Sequence, residues 1–214
     1  MLQNIRQSPN THLPKKTMNK SSIDITEFLQ SGFDLKAQLA QFLDISLDKL
    51  ESKLPSGAED LAALHPGSLK PDDALDFYEK EVGYAHLLDL AAWHLNSSNY
   101  ISDTLRLQKM FAFGKVLDFG GGIGTHAIAA ASLENVEHVY FVDLNPQNRD
   151  FVKCRAKELG LSDCISIHRD LDSTGDVKFD TLVCLDVLEH LPDPSGQLDI
   201  FLNRLSPKGI ALMN

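Results

Sequence analysis

Val116-Leu117-Asp118-Phe119-Gly120-Gly121-Gly122-Ile123-Gly124 starts as a short apolar strand and turns into a glycine-rich loop. A helix of small residues is expected directly after it, over Thr125–Leu133. Glycines at such a turn permit positive φ and let a ligand approach the main chain closely. The helix that follows presents unpaired N–H groups to the same place. Nineteen residues beyond Gly124, Asp143 ends the next apolar run, His138-Val139-Tyr140-Phe141-Val142. A carboxylate there can accept hydrogen bonds from both hydroxyls of a ribose, so loop and acid together imply a nucleoside-bearing cofactor.

From Lys115 onward, strand and helix patterns alternate. Helix signals cover Pro146–Leu159, ended by Gly160, and Gln197–Leu205; strand signals cover Ile165–His168, Phe179–Leu185 and Gly209–Met213. This alternation predicts an α/β fold with a parallel sheet and helices on both faces. The preceding region, 21–114, reads as helical. Ser46 is placed to cap a helix starting at Leu47, and Leu54-Pro55-Ser56-Gly57 and His65-Pro66-Gly67-Ser68 read as turns. Pro71 opens an expected long helix ending at Asn96-Ser97-Ser98-Asn99, with Leu75, Tyr78, Val82, Ala85, Ala92 and Leu95 as its packing stripe, and a further helix is expected over Ile101–Phe111.

Two cofactor classes fit the loop. Gly122-Ile123-Gly124-Thr125-His126-Ala127 matches the dinucleotide pattern G-x-G-x-x-G/A, the mark of a nicotinamide-dependent oxidoreductase. Asp118, Gly120, Gly122 and Gly124 match instead an acid two places before G-x-G-x-G. A carboxylate at the mouth of the loop suits a cationic sulfonium amino acid and repels a pyrophosphate, which favours S-adenosyl-L-methionine. Residues 115–214 resemble the class I S-adenosylmethionine-dependent methyltransferases in several ordered motifs: the loop, Asp143-Leu144-Asn145, Asp170-Leu171, Phe179-Asp180-Thr181-Leu182-Val183-Cys184, the segment Asp186–Pro194, and Leu205-Ser206-Pro207-Lys208-Gly209, where Lys208 replaces a glycine.

The resemblance implies a Rossmann-like, doubly wound, mostly parallel sheet. It implies cofactor contacts from Asp118, Phe119, Gly120, Gly121, Gly122 and Gly124 around the methionine moiety, from Asp143 and Leu144 at the ribose, from Asp170 and Leu171 at the adenine, and from Asp186 at the end of strand four. His190 is the candidate general base, since an imidazole can take a proton from an acceptor hydroxyl near pH 7; the alternative is a histidine that orients its loop. No metal is assigned. Asp186, Glu189 and His190 also resemble an acidic-plus-histidine cluster attributed to metal in some quinone-biosynthesis O-methyltransferases, with Asp186 in place of Glu. The family's sheet continues past strand five, whereas this chain ends at Asn214, so the expected domain is C-terminally incomplete.

Three domains are expected: a flexible basic tail at 1–20, a helical lid or substrate region at 21–114, and the cofactor-binding domain at 115–214. The tail carries +4, the middle region −8 and the last region −6, for a net charge of −10. Clustered cations for polyanion binding are therefore confined to the tail, which disfavours a nucleic-acid partner. No apolar run approaches the ~20 residues of a membrane span. Met1–Lys20 lacks the apolar centre of a secretory signal. Cys154, Cys164 and Cys184 are odd in number with no C-x-x-C pair, consistent with free thiols in the cytoplasm. His168-Arg169-Asp170-Leu171 and the acids from Asp170 echo a kinase loop and a calcium loop, but the spacing fails both. The expected function is methyl transfer to a small-molecule or lipid acceptor. The alternatives are an NAD(P)-dependent oxidoreductase or a non-catalytic S-adenosylmethionine-binding fragment.

Overall fold

A computed structural model describes residues 24–64 and 71–214. The basic tail and the turn expected at His65-Pro66-Gly67-Ser68 lie outside the described residues. Five strands form one sheet: β1 (Gly114–Phe119), β2 (Val136–Val142), β3 (Ile165–His168), β4 (Phe179–Cys184) and β5 (Leu205–Met213). Their order is β3-β2-β1-β4-β5, and every pairing is parallel. All five expected strands are present. The ladder between β4 and β5 breaks register between Phe179 and Thr181 and resumes at Ile210, which leaves the Pro207-Lys208-Gly209 stretch outside the regular pairing.

Strand side chains alternate between two cores, as the pleat requires. Val116, Val139, Phe141 and Val183 face the first core. They pack against helices α1 (Ile25–Ser31), α7 (Ser98–Phe111), α8 (Thr125–Ala131) and α9 (Pro146–Glu158). Leu117, Val142, Leu182 and Cys184 face the other core, where Phe201 of helix α10 (Pro194–Arg204) closes it. Burial on both faces is why these strands read as continuous apolar runs. The small residues of α8 are all buried, so this helix lies close against β1 and β2.

The N-terminal region adds α2 (Leu35–Phe42), α3 (Leu47–Lys53), α4 (Gly57–Ala63), α5 (Pro71–Asp76) and α6 (Gly83–Asn96). Ser46 caps α3 by accepting from the Lys49 N–H, as expected. The long helix expected from Pro71 to Asn96 is interrupted. A π-helical turn spans Phe77–Glu81, and Gly83 has φ +48°. Of the expected stripe Val82 is buried, but Leu75 is 47% exposed, and the other buried positions are Phe77, Leu87, Leu88 and Ala91. Between α1 and α2, Gly32, Phe33 and Asp34 all have positive φ. The two non-glycine residues each cost about 1–2 kcal/mol there, so this turn persists only where other contacts hold it.

Candidate cofactor site at the strand carboxyl ends

Open parallel sheets bind ligands outside the carboxyl ends of their strands, where the chain order reverses. Here that point lies between β1 and β4. The loop Gly120–Gly124 leaves β1 with positive φ at Gly120, Gly122 and Gly124. It closes on itself and its neighbours: the Gly120 N–H donates to the Val142 carbonyl at 2.8 Å and the Gly124 N–H to the Gly121 carbonyl at 2.8 Å. A Cβ at Gly120 meets Val187 at 2.5 Å and one at Gly124 meets Val152 at 2.6 Å. No larger residue fits either position without displacing its neighbour.

Asp143 follows β2 and is 7% exposed. One carboxylate oxygen accepts from the Gly122 N–H at 2.8 Å; the other accepts from the Asn145 N–H at 2.8 Å and the Asn148 side-chain amide at 3.3 Å. Burial pushes its pKa up to about 6 against these bonds. Asp118 is 3% exposed and lies beneath the loop rather than at its open mouth. Burial raises its pKa to about 7, opposed by a bond from the Ala127 N–H. Its Oδ2 is buried with no hydrogen-bond partner, beside the position a Cβ would take at Gly121.

The other expected site residues are more dispersed. Phe119 points into the second core, edge-on to Phe201 at 5.0 Å, so only its main chain reaches the loop. Leu171 is buried in that same core. Leu144 is half-buried and gives its carbonyl to Arg149. Asp170 holds Ser173 N–H at 2.9 Å and Arg169 at 2.6 Å, which lower its pKa. Asp186 has φ +55°, and its carboxylate accepts from the Tyr100 hydroxyl at 3.2 Å and from Asn214 at 2.8 Å. His190 is exposed at the end of a 3-10 turn, with its ring edge-on to Tyr78 at 6.2 Å. Its Nε2 is 3.9 Å from Glu189, while Asp186 turns toward Tyr100; among the described residues no three His, Cys, Asp or Glu side chains converge on a metal position.

The π turn and α6 pass over the loops that follow β1 to β4. Leu90 lies 3.0 Å from a Cβ position at Gly122. Asn145 donates to the Gly83 carbonyl at 3.1 Å, and His86 Nδ1 is 3.4 Å from the Asn148 amide. Glu79 grips Arg169 through both carboxylate oxygens at 2.5 and 2.7 Å. Tyr78 packs on His86 at 5.3 Å as well as on His190. Burial lowers the His86 pKa to about 4, so the ring is neutral and its Nδ1 can accept. The sequence carries no local signal that singles out His86, Leu90, Asn148 or Tyr100. The nearest signal is Asn145-Pro146, a cap followed by a first-turn proline that fixes where α9 starts.

These features fit an adenosyl cofactor bearing a cationic amino-acid tail. The glycine loop admits close approach of a ligand to its main chain, the β2-end carboxylate can accept from vicinal hydroxyls, and the unpartnered Asp118 oxygen leaves a free acceptor under the loop.

Residues 92–214, more than half of the chain, match the family model of the methyltransferase domain. The chain belongs to this family. The chain is 27% identical over 153 residues to a ubiquinone biosynthesis O-methyltransferase of Psychrobacter cryohalolentis, covering 65% of this chain and 58% of that protein. It is 36% identical over 101 residues to the ubiquinone biosynthesis O-methyltransferase of Idiomarina loihiensis, covering 45% and 40%. The chain spans about half the length of the curated relatives it matches. A solved SAM-dependent methyltransferase from Geobacter sulfurreducens, in complex with S-adenosyl-L-homocysteine, is similar at 24% identity and a TM-score of 0.43, over 54% of this chain and 45% of that one.

Proposed function

We propose that this methyltransferase domain transfers a methyl group from S-adenosyl-L-methionine to an oxygen of a small-molecule or lipid acceptor. The observation that carries the reading is the Gly122 N–H to Asp143 bond under a loop whose glycines leave no room for side chains. When bound, S-adenosylmethionine supplies a methyl group on a sulfonium sulfur that leaves as a neutral thioether. The chain's own work is then alignment and exclusion of water. Asp143 holds the ribose, with Leu144 beside it. Gly120, Gly121, Gly122, Gly124 and the Phe119 main chain cradle the methionine portion. Asp118 borders the loop from below as a buried acceptor, and Asp170 and the main chain at Leu171 border the adenine. Asp186 lines the crevice at the end of β4, and His190 takes the acceptor proton.

The segment Phe77–Asn96 acts as a lid over this crevice, a role supported by its contacts with four successive loops. An oxygen acceptor is supported by the shared name of the curated relatives. The acidic net charge argues for no nucleic-acid partner. No described helix is long and apolar enough to cross a membrane, and the buried free thiols Cys164 and Cys184 suit a cytoplasmic setting.

The test is methyl transfer from labelled S-adenosylmethionine to a panel of phenolic, catecholic and quinol acceptors. His190→Ala should lower kcat by ~10²–10⁴ while leaving S-adenosylhomocysteine affinity within about twofold, since a base acts on the acceptor proton rather than the cofactor. Unchanged kcat removes His190 from the chemistry. Cofactor binding with no turnover of any acceptor points to the non-catalytic reading.

A further inference from the structure

Arg155 on α9 is 0% exposed. Its position in the sequence, near the last turn of a polar helix, suggests a solvated cation. Instead, its hydrogen bonds go inward. Its Nε donates to Gln38 Oε1 at 2.7 Å, and Nη1 donates to the Ile123 carbonyl at 2.8 Å. Its Nη2 donates to the Gly32 and Phe33 carbonyls at 3.2 and 3.3 Å. The guanidinium also lies 5.6 Å from the centre of the Phe151 ring. All four acceptors are neutral, so the cation is held by carbonyl dipoles rather than by a bonded carboxylate. Burying a cation this way is costly and demands that each acceptor be in place.

The acceptors belong to separate segments. Gly32 and Phe33 form the strained, left-handed turn between α1 and α2. Gln38 lies on α2. Ile123 is the one non-glycine residue inside the cofactor loop, flanked by Gly122 and Gly124, both with positive φ. Its side chain is also 0% exposed and sits among Leu35, Leu39 and Phe151, in the core of the N-terminal helices. The loop is thus pinned twice from its underside: by a side chain plugged into the α2 core and by a carbonyl bonded to Arg155. A planar fork with fixed donor directions can span these segments; the point charge of a lysine cannot.

We infer that Arg155 is a positioning residue that couples docking of the α1–α2 turn to the shape of the glycine loop, and so to cofactor affinity. The inference rests on the reading of that loop as the cofactor cradle. It makes the N-terminal helices part of the cofactor site without touching the cofactor. Loss of any strut partner frees the Ile123 peptide between two glycines, the most pliable part of the loop.

The test compares wild type, Arg155→Lys and Gln38→Leu by three measurements: thermal unfolding, hydrogen exchange of residues 120–124, and calorimetric titration with S-adenosylhomocysteine below the unfolding temperature of the weakest variant. Gln38→Leu removes one of the guanidinium's four acceptors and keeps the volume, so it remains informative if Arg155→Lys does not fold. The expected result is an affinity at least about tenfold weaker, with faster exchange at 120–124 and unchanged exchange in β4. A lower unfolding temperature with affinity within twofold and unchanged loop exchange would overturn the proposal and leave Arg155 as a core residue. If wild type itself fails to bind S-adenosylhomocysteine, the cofactor reading fails instead, and loop exchange still decides the strut.

Discussion

Asp118 is held near neutrality by burial, with a pKa of about 7 in the fold against an ordinary 3.8. A raised carboxyl contributes stability that is fully present below its unfolded pKa and is lost as pH rises through the folded one. Asp118→Asn should therefore gain on wild type between pH 4 and pH 8, by on the order of 3 kcal/mol, read as a difference in unfolding free energy. A constant difference across that range would show that the oxygen is not buried as described. His94 and His126 work in the opposite sense. Burial lowers them to about 3 and about 4, so their contribution is present above 6.5 and lost as pH falls. His126 Nε2 lies 2.8 Å from Thr104 and His94 Nδ1 lies 3.2 Å from Thr125, which ties α6, α7 and α8 together through neutral rings. At Gly122, alanine must adopt φ +55° and press on Leu90; Gly122→Ala should cost about 1–2 kcal/mol and weaken cofactor binding, measured by unfolding and titration.

At the scale of elements, the strands and the glycine loop were legible because their signals are local. Val116–Phe119 and His138–Val142 are apolar on both faces, and glycines at a strand end have few other uses. The interruption of the 71–96 helix was not legible. A stripe built from Leu75 and Tyr78 assumes an unbroken helical period, and the π turn with Gly83 shifts the buried face to Phe77 and Leu87. The reach of Arg155 was equally hidden, since its acceptors lie up to 123 residues away in sequence. Of the site itself, Asp143 and the glycines converge as their motifs implied, whereas Leu171 and the Phe119 ring turn into the second core. The contact between Glu79 and Arg169, part of the proposed lid, is solvent-exposed on the arginine side, so Glu79→Ala should leave stability little changed. The same variant should speed tryptic cleavage after Lys80 and cofactor release, seen by limited proteolysis and stopped-flow displacement. Unchanged rates would show that this ion pair does not hold the proposed lid.

For the whole molecule, two cores share one sheet, and the N-terminal helices bury Phe28, Phe33, Ile101 and Leu105 against the same face as α8. The N-terminal helices therefore share a packed core with the strands and helices that carry the glycine loop and Asp143. Under the proposed function, the packed chain binds an adenosyl sulfur cofactor through Asp143. The most direct test is titration calorimetry with S-adenosylhomocysteine, NAD and NADP on wild type and on Asp143→Ala. Selective binding of S-adenosylhomocysteine is expected, weakened about 100-fold in the variant by loss of hydrogen bonds to a charged acceptor. Binding of NAD or NADP instead, or S-adenosylhomocysteine affinity untouched by the variant, would contradict it.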